Sequence, residues 1–335
     1  MAESWRHRKT LILGRSDMVG LLAPAEYVDC VEHAFRMHGL GRVYMEPKGH
    51  IVLDRYRGEW EVMPSWIEEP EAAACKWVSI REDNSRYELP AVFSILVYTH
   101  PETGFPLAIC DGSHHTLMRT GASAAVSAKW LARKDSKVLA ILGSGSVGKG
   151  TLATCDSVFD WGEVRIWSRT QESLDRFVAA EQSSYPHLEL RTTTDVEEAV
   201  RGADVIALVT SSHEPVIERA WVSPGAHINA VGACFPTFRE LDTQTVVDSR
   251  FYVDRRESAE NEAGDFLIPL HEGVIDHRHI VGEIGDVLIG TLPGRGSAEE
   301  ITVFESQGLA IEDLFAAEYI VRRARERGRG VTVEF

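Results

Sequence analysis

Apolar and polar positions change rhythm along the chain, and each rhythm predicts a different kind of element. The short run Thr10–Leu13 predicts a strand. Pro24 then opens a helix, at a first-turn position where its missing N–H does no harm. Tyr27, Val28, Val31, Ala34 and Phe35 recur at helical spacing as far as a stop at Gly39. From Val43 to Thr99 short apolar runs (Ile51–Leu53, Trp60–Met63, Ala74–Val78, Ala91–Tyr98) alternate with Pro, Gly and polar clusters, which predicts an antiparallel sheet. Pro101-Glu102-Thr103-Gly104 is a turn, and Pro106–Cys110 a further strand. Thr116 to Leu131 is rich in Ala, Ser and Gly and predicts a tightly packed helix, followed by the polar linker Arg133–Ser136.

From Lys137 strand and helix patterns alternate. Strands are predicted at Val138–Leu142, Val164–Trp167, Leu188–Leu190, Val205–Val209 and Ile228–Val231, with Phe251–Val253 as the sixth. Helices fall after the first strand to about Phe159, over Gln171–Ala180 and over Asp195–Val200. This order implies a parallel sheet with helices on both faces. Ile301–Phe304 predicts a late strand, and Leu309 to about Arg327 a long helix. The fold class is therefore α/β: a Rossmann dinucleotide-binding domain beside a mixed α+β domain.

Between the first two of these strands lies Gly143-Ser144-Gly145-Ser146-Val147-Gly148. G-x-G-x-x-G alone is a weak signal, but here a buried strand precedes it and a helix follows. Gly143 permits the tight turn, Gly145 lets backbone approach a pyrophosphate, and Gly148 lets the helix pack on the sheet. The N-terminus of that helix presents free N–H groups, including those of Ser146 and Val147, to phosphate. The tip of the second strand selects the cofactor. NAD sites place Asp or Glu there for the ribose hydroxyls. This chain has Ser168-Arg169-Thr170, which suits a 2′-phosphate and favours NADP(H), with NAD(H) as the other reading. Ligands lie at the carboxyl ends of such strands, which brings in Thr210, Ser211, Val231, Gly232 and Ala233. Cys234 follows them, as a thiol near the nicotinamide or as plain core.

Composition narrows the function classes. Asp plus Glu outnumber Lys plus Arg by 51 to 35, a net charge of −16, which argues against nucleic acid or an anionic membrane as partner. The basic run from Arg322 to Arg327 has helical spacing and reads as a solvated or subunit-facing surface. Five scattered cysteines with no C-x-x-C pair fit a reducing compartment and neither a disulfide framework nor a structural zinc site. No signal-peptide core opens the sequence and no run approaches a membrane span, so a cytoplasmic location is expected.

Three stretches resemble the ornithine cyclodeaminase/mu-crystallin family. They are Met118–Ala122 with Lys129–Ala132; His227–Ala233 with Pro236 and Arg239–Asp242; and Gly282–Val287 with Ile301–Ser306 and Gly308–Ala310. The resemblance runs nearly the whole length. It implies a Rossmann domain over residues 131–306 and a substrate-binding, dimerising domain built from residues 1–130 with 307–335, hence a homodimer. It further implies that Lys48, Lys76 and Arg119 hold a substrate carboxylate; Lys76 also sits between Cys75 and Trp77 in an apolar run, where burial would lower its pKa and suit it to handle a proton. Glu61 and Glu262 match substrate-side glutamates, and Arg119, Thr120 and Ser306 join the cofactor-binding set. Arg gives a bidentate fork and Lys a point charge, the chemistry an anionic imino acid needs. His114 and His115 either line the pocket or cap a helix.

One departure matters: cyclodeaminases carry an aspartate where this chain has Cys234. The expected activity is NADP(H)-dependent reduction of an α-imino acid, either a cyclic ketimine such as pyrroline- or piperideine-2-carboxylate or an imine of a keto acid and an amine. An ornithine or lysine cyclodeaminase with a recycled cofactor, and a non-catalytic NADPH-dependent ligand-binding protein, are the alternatives. A methyltransferase is remote.

Overall fold

The structure, a computed structural model, describes residues 9–334. The segment read for a signal peptide lies mostly outside them. The chain forms two compact units, one running to Arg119 and resuming at Leu309, the other Thr120–Gly308. The sequence reading divides the chain at 130 and 306 instead. The Ser113–Leu131 helix, which reads as one element, carries the first division within it.

In the first unit the strands are β1 (Lys9–Leu13), β2 (Val43–Met45), β3 (Gly49–Leu53), β4 (Gly58–Glu68), β5 (Glu71–Arg81), β6 (Val92–Thr99) and β7 (Pro106–Asp111). A last strand, Val331–Glu334, pairs antiparallel with β1 and escapes the sequence reading because all four of its residues are exposed. From it the order is β1-β7-β6-β5-β4-β2, with β3 also on β4. The β1–β7 pair is parallel and the others are antiparallel.

Strict alternation sorts the two faces of this sheet. On β4 the residues Glu59, Glu61, Met63, Ser65 and Ile67 are buried; on β5 so are Ala72, Ala74, Lys76 and Val78. That face packs on the Ala310–Glu326 helix, which in turn packs on the Pro24–Gly39 helix. Alanines 310, 316, 317 and 324 are buried on that helix, and such small side chains allow close helix–sheet approach. The opposite face carries Ile51, Val62, Trp77 and Ile95, which are 55%, 39%, 42% and 40% exposed. Register places Val62, Trp77 and Ile95 in one row across three strands.

The second unit is an all-parallel sheet of β8 (Val138–Leu142), β9 (Glu163–Trp167), β10 (Leu190–Thr193), β11 (Val205–Leu208), β12 (His227–Ala230), β13 (Ser249–Val253), β14 (Ile280–Glu283) and β15 (Ile301–Glu305). Their order is β10-β9-β8-β11-β12-β15-β13-β14. Chain direction reverses its progress between β8 and β11, the switch point where such sheets bind ligands.

Phe251–Val253 lies in the sixth strand of this unit along the chain, as expected, while the late strand β15 inserts between β12 and β13, and its five residues are all buried as a central parallel strand requires. The third strand runs Leu190–Thr193 rather than Leu188–Leu190, because an edge strand pairing with β9 tolerates the polar residues Arg191 to Thr193. Strand β14 and the short helices Arg256–Glu262, Gly264–His271 and Ile284–Ile289 have no counterpart in the periodicity reading.

Candidate active site

The first unit buries a charged cluster. Lys76 faces inward from β5, opposite Met63 of β4. The first turn of the Ala310–Glu326 helix brings Asp313 to meet it, with Lys76 Nζ donating to Asp313 Oδ2 at 2.6 Å; both side chains are almost wholly buried. The Ser113–Leu131 helix adds two residues one turn apart. His115 Nε2 lies 3.3 Å from Asp313 Oδ1, and Arg119 Nε also lies 3.3 Å from that oxygen. Arg119 Nη1 donates to Glu312 Oε2 at 3.3 Å. This helix starts at Ser113, three residues before its expected start, because the side chain of Asp111 accepts the Ser113 N–H at 3.1 Å. Those added residues carry His115 into the cluster, while His114 is only half-buried.

Electrostatics follow from this packing. Burial and the neighbouring Arg119 charge lower the Lys76 ammonium to about 8, against the opposing pull of Asp313. Burial alone would raise the Asp313 carboxyl, but Lys76, Arg119 and His115 hold it far below the usual carboxylate range. Burial likewise disfavours the Arg119 charge, and Asp313 and Glu312 more than reverse that, so Arg119 stays a cation. Glu61, buried on β4, adds its charge to both Lys76 and Arg119. Beside it His50 Nδ1 sits 3.4 Å from Glu59 Oε2 and 3.9 Å from Glu61 Oε1. Burial and Glu61 raise the Glu59 carboxyl, and Lys48, half-buried before β3, opposes that rise. Lys48, Glu61, Lys76 and Arg119 thus all belong to the first unit.

Asp313 and Glu312 were not singled out as site residues from the sequence, and His115 stood there as either a pocket residue or a helix cap. The available signal was an acidic pair set between Ile311 and Leu314 on the apolar stripe of a helix, which reads at first as an ordinary acidic first turn.

In the second unit the glycine loop sits at the switch point. Gly143 has φ +133°, and a Cβ there would lie 2.7 Å from the Val209 carbonyl oxygen. A Cβ on Gly148 would lie 2.1 Å from the Gly143 oxygen, whereas one on Gly145 would meet nothing within 4 Å. Turn, close packing and open approach are thus distributed over the three glycines as the motif requires. Gly145 is the N-cap of the Ser146–Asp156 helix, whose first N–H groups have no intrahelical partner. Beside the loop is a cleft of about 520 Å³. Ser144, Ser146, Ser168, Arg169, Thr210 and Ser211 line it, together with Lys149, Ser173 and Arg176, which the sequence reading missed. Ser173 and Arg176 lie one turn apart on the Gln171–Glu181 helix, directly after the strand tip, and that spacing was the signal. None of the lining residues is acidic.

The remaining expected cofactor residues fall in several settings. Thr170 caps the helix, accepting from the Ser173 N–H at 3.3 Å, and does not line the cleft. Val147 is half-buried beside the loop, and Thr120 is half-buried on its helix. Val231, Gly232 and Ala233 leave the end of β12, and Gly232 N donates to Glu240. Ser306 is buried, its Oγ 3.3 Å from Ser123 Oγ. Glu262 is the buried last residue of its helix in this second unit, and Cys234 is half-buried.

A parallel sheet with this turn at its switch point is a Rossmann-type unit. The model of the ornithine cyclodeaminase/mu-crystallin family matches residues 8–328, and the chain belongs to that family. It is an NAD(P)-dependent oxidoreductase. The rat ketimine reductase mu-crystallin is 37% identical over 277 residues, 82% of this chain and 84% of the rat protein. The structure of Thermococcus litoralis Δ1-pyrroline-2-carboxylate reductase in complex with NADH and L-proline superposes with a TM-score of 0.94 at 36% identity, over 97% of this chain and 100% of that one. An archaeal alanine dehydrogenase, described as a dimer with bound NAD, gives 0.91 at 34% identity over 98% and 99% of the two chains.

Proposed function

We propose that the protein is an NADP(H)-dependent reductase of α-imino acids, acting on a cyclic ketimine carboxylate or on the imine of an α-keto acid and an amine. The observation that carries this reading is the buried meeting of Lys76 and Arg119 on Asp313. Arg119 has five N–H donors, more than its two contacts to Asp313 and Glu312 use, and a carboxylate accepts two of them in parallel. Lys48 supports it with a point charge. Lys76 Nζ holds a proton that leaves near pH 8, which suits delivery to an imine nitrogen at neutral pH. A bound reduced nicotinamide would supply the hydride for the imine carbon, and Lys76 would supply the proton that completes the amine. Asp313 keeps the Lys76 ammonium charged in a buried setting, and His115 steadies Asp313 from its other oxygen.

The cleft of the second unit fits a dinucleotide. Its serines and the free N–H groups of the helix start suit a pyrophosphate. Arg169 and Arg176, with no acid among the lining residues, support a 2′-phosphate and hence NADP(H). Relatives are described with NAD or NADH, so both cofactors are tested. The exposed apolar row of Val62, Trp77 and Ile95 supports a homodimer, since such a row on an antiparallel sheet is what a second copy would cover.

The test is oxidation of NADPH, and in parallel NADH, with pyrroline-2-carboxylate, piperideine-2-carboxylate, and pyruvate with ammonia or methylamine. Consumption with one imine, lost in Lys76→Ala while NADPH still binds, is the expected result. Unchanged turnover in that variant removes the role given to Lys76. Bound dinucleotide with no imine reduced, and ornithine converted to proline without net oxidation, would make the protein a cyclodeaminase despite Cys234.

A further inference from the structure

Behind the switch point, in the second unit, lies a buried acidic residue that the proposed chemistry does not use. Glu240 is wholly buried, yet each of its carboxylate oxygens accepts one backbone N–H. Oε1 accepts from Thr210 at 2.7 Å and Oε2 from Gly232 at 2.8 Å. Thr210 leaves the end of β11 and Gly232 the end of β12, so one side chain bridges the exits of two neighbouring strands. Approach here is close enough to demand glycine: a Cβ on Gly232 would lie 1.9 Å from the Thr210 oxygen and 2.7 Å from Glu240 Oε2.

Glu240 is itself held from behind. Asp265, in the first turn of the Gly264–His271 helix, accepts the N–H groups of Glu240 and Leu241 on one oxygen at 2.9 and 2.7 Å. The Val216 N–H bonds to the Glu240 carbonyl at 2.8 Å, and Ile217 bridges to Leu241. The segment around Glu240 is thereby laid along the loop that follows β11. Two carboxyl oxygens that each accept an N–H from an adjacent strand end form a staple, and losing either contact would leave a buried N–H unpaired.

We propose that Glu240 is a positioning residue for the dinucleotide: by tying Thr210 to Gly232 it fixes the backbone at the cofactor edge of the sheet without touching the cofactor. This rests on the dinucleotide-binding reading above. The arrangement is electrostatically costly. Burial and Asp265 push the Glu240 carboxyl up to about 8, against the pull of its two N–H donors. Glu305 and Asp254 are further acids in the same group, and Arg239 is the cation acting on Asp265. An apolar side chain here would leave the Thr210 and Gly232 N–H groups without an acceptor. The placement of Glu240 at the ends of β11 and β12 points to geometry as its use.

Three measurements on the full-length protein test this. Amide hydrogen exchange on the wild type is read first and needs no variant: Thr210 and Gly232 exchange slowly, and slower than Ser211. Fast exchange at both positions overturns the staple. Glu240→Gln then keeps one acceptor and turns an N–H₂ toward the other donor. It is expected to speed exchange at those two amides and to weaken NADPH or NADH binding, followed by nicotinamide fluorescence, about tenfold, the cost of leaving one buried N–H unpaired. The cofactor KM rises with it, while kcat and the imino-acid KM change less than about threefold. A lower melting temperature with unchanged cofactor affinity makes Glu240 a merely structural residue and overturns the proposal. A wild type that binds no dinucleotide overturns the functional reading instead, and the two failures are read from different proteins.

Discussion

Removing the Asp313 charge should move the proton on Lys76. Lys76 Nζ donates to Asp313 at 2.6 Å in a setting without solvent, and its ammonium already sits at about 8 rather than the ordinary 10.5. An opposite charge at this range shifts a pKa by about 1–3 units. Asp313→Asn keeps the shape and one acceptor but loses the charge, so the Lys76 pKa should fall to between about 7 and about 5. At pH 7.5 the protonated fraction then drops from roughly three-quarters to roughly one-quarter or less. The assay is kcat/KM for imine reduction from about pH 5.5 to about pH 9.5. The wild type should lose activity through an alkaline limb near 8, and the variant through a limb at least about one unit lower, with activity recovering in acid. Asp313→Glu, which keeps the charge, should leave the limb near its wild-type position. Stability gives an independent reading. Between the folded and unfolded pKa of Lys76 the unfolded chain holds more protons, so stability of the variant rises with pH across that window and is lowest below it. An alkaline limb that stays put in a folded, cofactor-binding Asp313→Asn protein would refute the role given to this pair.

Further outcomes follow from the second unit and from the outer sheet face. Arg169→Ala and Arg176→Ala should each weaken NADPH binding about tenfold and leave NADH within about threefold, because only the former carries the phosphate they would pair with; equal losses for both cofactors would remove the 2′-phosphate assignment. Gly148→Ala forces a Cβ to 2.1 Å from the Gly143 oxygen and should lower the melting temperature. Gly145→Ala meets nothing within 4 Å, so it should fold normally and lose cofactor affinity alone; calorimetry with cofactor titration separates the two. Trp77→Lys places a charge in the middle of the apolar row on β5 and should shift sedimentation from dimer to monomer, whereas an unchanged sedimentation coefficient would place the interface elsewhere.

The Rossmann unit was legible because its signals are local: apolar runs of strand length, glycines at fixed spacing, and an acid-free strand tip at Ser168-Arg169. Where reading failed, the determinant was not local. Nothing in Ile301–Phe304 says that it inserts between β12 and β13, since central position is set by which partners bury it on both faces. Thr170, read as a cofactor donor from its place at the strand tip, is also the N-cap of the next helix, a role set by where that helix begins. Lys76 was visible as a lysine in an apolar run. Its partner Asp313 is 237 residues away, and no periodicity connects them. Glu240 was quoted only as part of a family stretch, because a glutamate in a loop shows no sign of burial until the two N–H groups it accepts are in place.

That separation along the chain has a consequence for how the protein is made. Ribosomes release the first unit's sheet early, with Lys76 and Arg119 already facing inward on β5 and on the Ser113–Leu131 helix. Their counter-charges, Glu312 and Asp313, emerge only after the whole parallel sheet has been synthesised. Until then the two cations have Glu61 beside them but not Glu312 or Asp313, and burying both charges is less favourable. A polypeptide that stops before the final helix is therefore expected to leave this core incompletely closed and open to proteases.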